Sequence, residues 1–378
     1  MKPRILFVMM MALVLTLALG EGAAAAPAKC TGASKTKACK PAPTASASKG
    51  KSTRAKSTAS KSTAGKSTAG KKQAGKKRVE RPGRVTKAKR TLESKLAVAK
   101  KRAAKARAAD EPITLRLDEH GQPRLNSSAF YVANQSTGEV LLQRNARQII
   151  PIASITKLMT AIVVLESGSN LNDMLTISDD DVDYLKGTSS RLGVGTRLTR
   201  EDMLLLALMS SENRAASALA RHYPGGRAAF INAMNVKARL IGMSETRFYD
   251  STGLTPRNVS SPRDLSRLVA AASAYPQIRE FSTTEERYFY INGQPKRFGN
   301  TNGLVRSPDW VISVSKTGYI SEAGRCLVMQ AWMQDQPLLI VLMDANGRST
   351  RTVDAQRVRL WLEEKPERLA STRRNQQG

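Results

Sequence analysis

Hydrophobic and polar positions divide the chain sharply. Residues 5–19 are an uncharged apolar run, 29–108 carry almost no apolar side chains longer than alanine, and patterned segments begin near residue 110. Residues 129–133 and 139–143, on either side of Asn134 to Gly138, read as a β-hairpin. Residues 155–165 form an apolar helix. Residues 203–222 form a second helix, entered through Thr199 with Asp202 three residues later, a start that resembles a capping box. Residues 227–241 continue the helical section. Ser261-Pro262-Arg263-Asp264 opens another helix, with Ser as N-cap and Pro in the first turn. Residues 310–315, 325–333 and 338–345 read as strands, the last two joined by a turn at 334–337, and 353–364 closes as an amphipathic helix. Strands first, helices in the middle and strands last imply a sheet completed by both chain ends. The expected fold class is therefore α+β: an antiparallel sheet flanked by helices, with a helical insert.

Charge redraws the first third of the chain. The 378 residues carry a formal net charge of +30, but residues 29–108 hold 26 Lys+Arg against 2 acids. The extreme basicity thus belongs to one segment. That segment has no aromatic residue and repeats Lys-Ser-Thr at Lys51, Lys56, Lys61 and Lys66, so it cannot bury a core and reads as a disordered, solvated tether. Before it, Lys2 and Arg4, the apolar run and small residues from Gly22 to Ala26 read as a signal peptide over 1–28. A single transmembrane helix is the rival, but the run is short for a span. Export places the protein in the periplasm. There the basic segment would meet anionic envelope polymers or a membrane surface, and no nucleic acid is expected. The organisation expected is signal (1–28), basic segment (29–108) and one folded domain (109–378).

Three Cys and two His cannot supply a multi-ligand zinc site or a disulfide framework, so neither metal nor cofactor is expected. Cys326 reads as a buried strand thiol. A Ser-His-Asp triad is also disfavoured, since His120 sits in a polar segment and His222 ends a helix. A hydrolase here needs another base, and Ser154-Ile155-Thr156-Lys157 offers one. Residues three apart share a helix face, so Lys157 can reach the Ser154 hydroxyl. Burial and a nearby cation would keep its amine neutral. The spacing alone is uninformative, because it recurs at Ser34/Lys37, Ser48/Lys51 and Ser313/Lys316. Context distinguishes Ser154: Pro151 precedes it and an apolar helix follows. Ser211-Glu212-Asn213, which interrupts two helical runs so that polar side chains can turn into a cleft, lies 57 residues on, and Lys316-Thr317-Gly318 a further 105. Those three elements in that order mark penicillin-binding proteins and class A β-lactamases.

The stretch from Pro151 to Ala161, with Ser210 to Ala215 and Asp250-Ser251-Thr252-Gly253-Leu254, resembles the low-molecular-mass penicillin-binding proteins, the serine D-Ala-D-Ala peptidases. Lys316-Thr317-Gly318-Tyr319-Ile320 with Glu322-Ala323-Gly324 resembles their D-alanyl-D-alanine endopeptidase branch, the penicillin-binding protein 7 type. The resemblance spans about 129–364 and none of the basic segment. It implies Ser154 as acylated nucleophile, Lys157 as general base and Ser211 as proton relay to the leaving amine. It also implies that Asn213 positions the substrate and Lys157, that Lys316 keeps the site positive, and that Thr317 binds the substrate's acidic end. Gly318 would let the substrate backbone approach, and the N–H groups of Ser154 and Tyr319 would form an oxyanion hole. The implied substrate is the peptide cross-link of peptidoglycan, with β-lactams as covalent inhibitors.

Three other readings remain open on the sequence. A D-alanyl-D-alanine carboxypeptidase would use the same residues. A class A β-lactamase would need a deacylating Glu, and the surroundings of Glu245 do not resemble that loop. A non-catalytic basic envelope- or polyanion-binding protein would leave the filled nucleophile and base positions unexplained.

Overall fold

The structure is a computed structural model describing residues 113–369, all within the unit Pro82–Gly378. The expected signal at 1–28 and basic segment at 29–108 lie outside the described residues.

The chain enters through β1 (Ser127–Asn134) and β2 (Val140–Arg144), the expected hairpin. Strand β3 (Ile150–Pro151) and a 3-10 turn at Ala153–Ile155 lead into α1 (Thr156–Glu166). A small ribbon of β4 (Met174–Thr176) and β5 (Arg197–Thr199) precedes α2 (Arg200–Met209), α3 (Asn213–Arg221) and α4 (Gly226–Leu240). Strand β6 (Val259–Ser260) pairs with β3, and α5 (Pro262–Ala272), α6 (Pro276–Thr283) and the hairpin β7 (Glu286–Ile291) and β8 (Gln294–Gly299) follow. Strands β9 (Val311–Ile320), β10 (Gly324–Met333) and β11 (Gln336–Ala345) and helix α7 (Thr350–Glu364) complete the domain.

The main sheet has the order β2-β1-β11-β10-β9 and is antiparallel throughout. The first and last strands are neighbours, with Tyr131 opposite Val341, so both chain ends build the sheet as the sequence implies. Successive side chains alternate faces. Cys326 and Val328 of β10 enter the core shared with α1 to α6, while Leu327 and Met329 face Val358, Trp361 and Leu362 of α7. Burial on both faces explains why β10 and β11 read as nearly continuous apolar runs; each buried Leu, Val or Met contributes about 1.5–3 kcal/mol.

The expected caps form: the Thr199 hydroxyl accepts from Asp202 N, and Ser261 accepts from Asp264 N. The helical stretch over 203–222 is two helices, parted at the expected interruption Ser211-Glu212-Asn213. The first ends after Met209, Ser211 takes a left-handed φ of 61°, and Glu212 N–H donates back to Leu206 O at 3.1 Å. Two features differ from the sequence expectation. The strand expected over 310–315 runs on to Ile320, so Lys316-Thr317-Gly318 lies within an edge strand instead of after it. Helix α6 and the β7–β8 hairpin were not expected. The hairpin turns on Asn292 and Gly293, both at positive φ, a turn that matches the twist of its strands.

Candidate active site

The nucleophile candidate sits on the 3-10 turn that opens α1. That turn is clamped from two sides by backbone. Ile152 N–H donates to Asn258 O at 3.0 Å, and Ala153 is held at a left-handed φ of 48°. Gly253 approaches so closely that a Cβ on it would lie 1.9 Å from Ala153 O. Gly318 of β9 closes the other side: a Cβ there would lie 2.9 Å from Ile152 O and 3.2 Å from Ser154 N. Glycine is thus required at both positions by close approach.

One helical turn on, Lys157 is fully buried and its Nζ meets three oxygens. These are Ser154 Oγ at 2.8 Å, Asn213 Oδ1 at 2.7 Å and the Thr252 carbonyl at 2.7 Å. The Thr252 carbonyl is aimed by its loop. The Asp250 carboxylate accepts from the amides of Thr252, Gly253 and Thr255, and the buried Asn258 donates to it at 3.0 Å. Among the described residues, no carboxylate is hydrogen-bonded to the amine. Burial lowers its pKa from 10.5 to about 7, against the opposing pull of the charges on Asp250 and Glu212.

A second Ser–Lys pair faces the first. Lys316 Nζ donates to Ser211 Oγ at 2.9 Å and to Thr317 O at 3.1 Å. Lys316 is pushed well below the ordinary lysine range, by burial first and then by the cations Lys157 and Arg351. Burial therefore opposes the positive charge that the sequence reading assigned to Lys316. The exposed-side cation at this end of the cleft is Arg351 at the start of α7, whose guanidinium donates to Gly318 O at 3.1 Å.

A cleft of about 500 Å³ lies over both pairs. Ser154, Ser211, Asn213, Thr317, Gly318 and Tyr319 line it, while Lys157 and Lys316 lie beneath, each under its serine. All eight residues singled out from the sequence are therefore brought together. Thr317 Oγ1 donates to Thr301 Oγ1 at 2.7 Å, and the half-exposed Tyr319 ring lies under the Arg325 guanidinium at 4.3 Å. Sequence reasoning missed Lys186, Thr188, Thr301 and Arg351, which also line the cleft. Nothing local marks them: Lys186 and Thr188 come from one loop, Thr301 from another and Arg351 from α7. It quoted Thr252 only as part of a family block, without its carbonyl's role toward Lys157.

The discarded candidates are accounted for. Glu245 spends its oxygens on Arg147 at 2.7 Å and the Ser261 hydroxyl at 2.6 Å, and is not among the residues lining the cleft. His222 caps α3, with its Nδ1 at 2.9 Å from Ala218 O. Cys326 is a buried strand thiol.

On this α+β frame, a serine hydroxyl held against a buried amine of lowered pKa defines a class: serine peptidases that work through an acyl-enzyme. The chain belongs to the D-alanyl-D-alanine carboxypeptidase family of peptidases, whose model matches residues 117–347. It is 48% identical over 244 residues to a D-alanyl-D-alanine endopeptidase of Pseudomonas aeruginosa, covering 64% of this chain and 79% of that one. It is 44% identical to the D-alanyl-D-alanine endopeptidase of Escherichia coli over the same shares. Among solved structures, a Streptomyces DD-transpeptidase superposes with a TM-score of 0.59 at 30% identity, covering 64% of this chain and 98% of that one. A penicillin-binding protein of Listeria monocytogenes in its ampicillin-bound form gives 0.55 at 27% identity, over 64% and 99%.

Proposed function

We propose that this protein is a D-alanyl-D-alanine endopeptidase that hydrolyses D-Ala–diamino acid cross-links of peptidoglycan, with Ser154 as nucleophile. The observation that carries the mechanism is the 2.8 Å contact between Lys157 Nζ and Ser154 Oγ beneath the cleft. Lys157 takes the Ser154 proton as Oγ adds to the D-Ala carbonyl, a base role worth about 10²–10⁴-fold. The oxyanion forms toward the Ser154 and Tyr319 amides. The C–N bond then breaks, and the proton taken up by Lys157 passes through Ser211, held by Lys316 at 2.9 Å, to the leaving amine, which returns Lys157 to its neutral form. Water adds to the ester, Lys157 takes its proton, and the Ser154–carbonyl bond breaks with return of that proton to Oγ. Arg351, Thr317 and the cleft end beneath Tyr319 supply the cationic and hydroxyl groups for the carboxylate beside the scissile bond.

The names of the Pseudomonas aeruginosa and Escherichia coli relatives support the endopeptidase reading. The family's description supports carboxypeptidase action as the second reading, since the same residues serve both. Product analysis on purified cross-linked muropeptides decides between them. Monomers with intact pentapeptide tails mean endopeptidase; loss of terminal D-Ala means carboxypeptidase. The ampicillin-bound relative supports β-lactams as acylating inhibitors. Covalent labelling by a fluorescent penicillin should vanish in Ser154→Ala, and labelling that persists refutes Ser154 as nucleophile.

Export to the periplasm and attachment of residues 29–108 to an anionic polymer or membrane surface complete the proposal. The apolar run behind Lys2 and Arg4 supports export, and the charge of residues 29–108 supports the attachment. Deleting that segment should weaken sacculus association in a salt-dependent manner while leaving turnover of a small substrate unchanged; undiminished association refutes the attachment.

A further inference from the structure

A neutral amine has two N–H donors and one lone pair, yet Lys157 Nζ has three oxygen neighbours. Which neighbour meets the lone pair decides whether Lys157 can act as a base. The Thr252 carbonyl can only accept, so it takes one N–H. Ser154 Oγ can donate or accept. The outcome therefore turns on Asn213, whose amide can present either oxygen or NH₂.

That choice is made two residues away. Asp183 Oδ2 accepts from the Thr188 hydroxyl at 2.7 Å and from Thr188 N–H at 2.9 Å. Its other oxygen accepts from the amides of Leu185 and Lys186, each at 2.9 Å. A carboxylate cannot donate, so the one Thr188 proton is committed to Asp183 and only a lone pair of Thr188 Oγ1 faces the cleft. Asn213 Nδ2 lies 3.0 Å from that oxygen and donates to it. The amide is thereby turned so that Oδ1 faces Lys157 at 2.7 Å. Both N–H groups of the amine are then used, on Asn213 and Thr252, and the lone pair is left for the Ser154 proton.

We propose that Asp183 is a positioning residue for acylation: through Thr188 it fixes the orientation of the Asn213 amide and so points the Lys157 lone pair at Ser154. The chemistry of the loop is consistent with a permanent anion there. Burial acts against the Asp183 charge, but the Thr188 hydroxyl and the Lys186, Thr188 and Leu185 amides outweigh it and hold the carboxyl below its ordinary range. The sequence of the loop gives no hint of this role, since Asp183 and Thr188 lie five residues apart in a turn without helix or strand.

Asp183→Asn keeps the shape but can present NH₂ to Thr188. The Thr188 proton is then free to point at Asn213, the Asn213 amide turns over, and its NH₂ takes the Lys157 lone pair. Thr188→Val removes the acceptor itself, and Thr188→Ser keeps it. The inference rests on Ser154 and Lys157 acting as proposed above, so the experiment measures the rate constant for acylation of the full chain by a fluorescent penicillin between pH 5 and 9. Loss of labelling in Ser154→Ala tests that prior reading separately. Asp183→Asn and Thr188→Val should each lower the high-pH plateau about 100-fold. Thr188→Ser should stay within a few-fold of the parent. In Asp183→Asn the pH midpoint should also move to lower pH, because an N–H donor facing Nζ disfavours its protonated form. In an Asn213→Ala background, which has no amide to turn, Asp183→Asn should have little further effect. The proposal is overturned if Thr188→Val matches the parent in plateau and midpoint. It is equally overturned if Asp183→Asn costs as much with Asn213→Ala as without it, since a loop that merely holds the fold together would behave so.

Discussion

The buried amine makes a sharp prediction about pH. Lys157 must be neutral to accept the Ser154 proton, so acylation follows the neutral fraction. With a pKa of about 7, half of Lys157 is neutral at pH 7, about a tenth at pH 6 and about a hundredth at pH 5. At the ordinary value of 10.5, about one molecule in 3,000 would be competent at pH 7. The displacement corresponds to ~5 kcal/mol in favour of the amine, and burial is its main source. The penicillin acylation rate constant should therefore rise about tenfold per pH unit from 5 to near 7 and level off above it. The perturbation that tests the cause is Glu212→Gln. Glu212 is buried, raises the Lys157 pKa through its charge, and hydrogen-bonds Ser190 rather than Lys157. Neutralising it should move the midpoint to lower pH and increase the rate at pH 6, an uncommon direction for removing a buried charge near a catalytic group. A rate constant that is flat from pH 5 to 8, or that climbs only above pH 9, refutes a burial-depressed Lys157 as base. A Glu212→Gln midpoint displaced to higher pH refutes the electrostatic account.

Two further outcomes follow from buried groups outside the cleft. Burial pushes the Cys326 thiol up to about 11, and its Sγ donates to Ala323 O at 3.4 Å. Mass mapping should find the Cys326 peptide unmodified by a thiol reagent at pH 8 until denaturant is added; rapid modification of the native protein contradicts this. Asp354 of α7 is fully buried and accepts from the amides of Asn126 and Ser127 and from the Ser127 hydroxyl, tying α7 to the start of β1. Asp354→Ala strands those donors and should lower the unfolding free energy by about 3 kcal/mol in denaturant titration; a change under about 1 kcal/mol would show that water replaces the carboxylate.

What the sequence made legible was whatever announces itself locally. The Ser154–Lys157 spacing, the caps at Thr199 and Ser261 and the apolar runs of β10 and β11 all appear where expected. The hairpin β7–β8 was legible but overlooked: Asn292-Gly293 follows Tyr288 to Ile291, a strong turn signal that Pro295 in the second strand obscures. The break between α2 and α3 was visible only as polarity at Ser210 to Asn213, because helical pattern continues on both sides and only the left-handed Ser211 shows where the axis changes. Arg351 was not legible at all. Its place in the cleft depends on how α7 packs against the sheet, which no local pattern encodes. The burial of Lys316, which opposes its charge, was not legible for a related reason: charge is written in the sequence, but burial is not.

The two glycines at 253 and 318 show why short, separately weak motifs matter together. They lie 65 residues apart in the chain, yet both press on the single peptide between Ala153 and Ser154. Gly253→Ala puts a side chain at φ +81° and drives its Cβ into the Ala153 carbonyl, while Gly318→Ala crowds the same turn through Ile152 O and the Ser154 amide. Either change must shift the turn that carries the nucleophile. A displacement near 1 Å costs about 100-fold in rate, so each variant should lose roughly that much penicillin acylation. Once one substitution has moved the turn, the second finds it already displaced. The double variant should therefore lose far less than the 10⁴-fold that independent sites would give. Gly168→Ala supplies the control: its φ is +67° with no atom within 4 Å of the new Cβ. It should cost about 1 kcal/mol of stability and leave acylation unchanged. If the losses at 253 and 318 multiply, the two glycines act on different parts of the site, and the shared clamp on Ser154 is wrong.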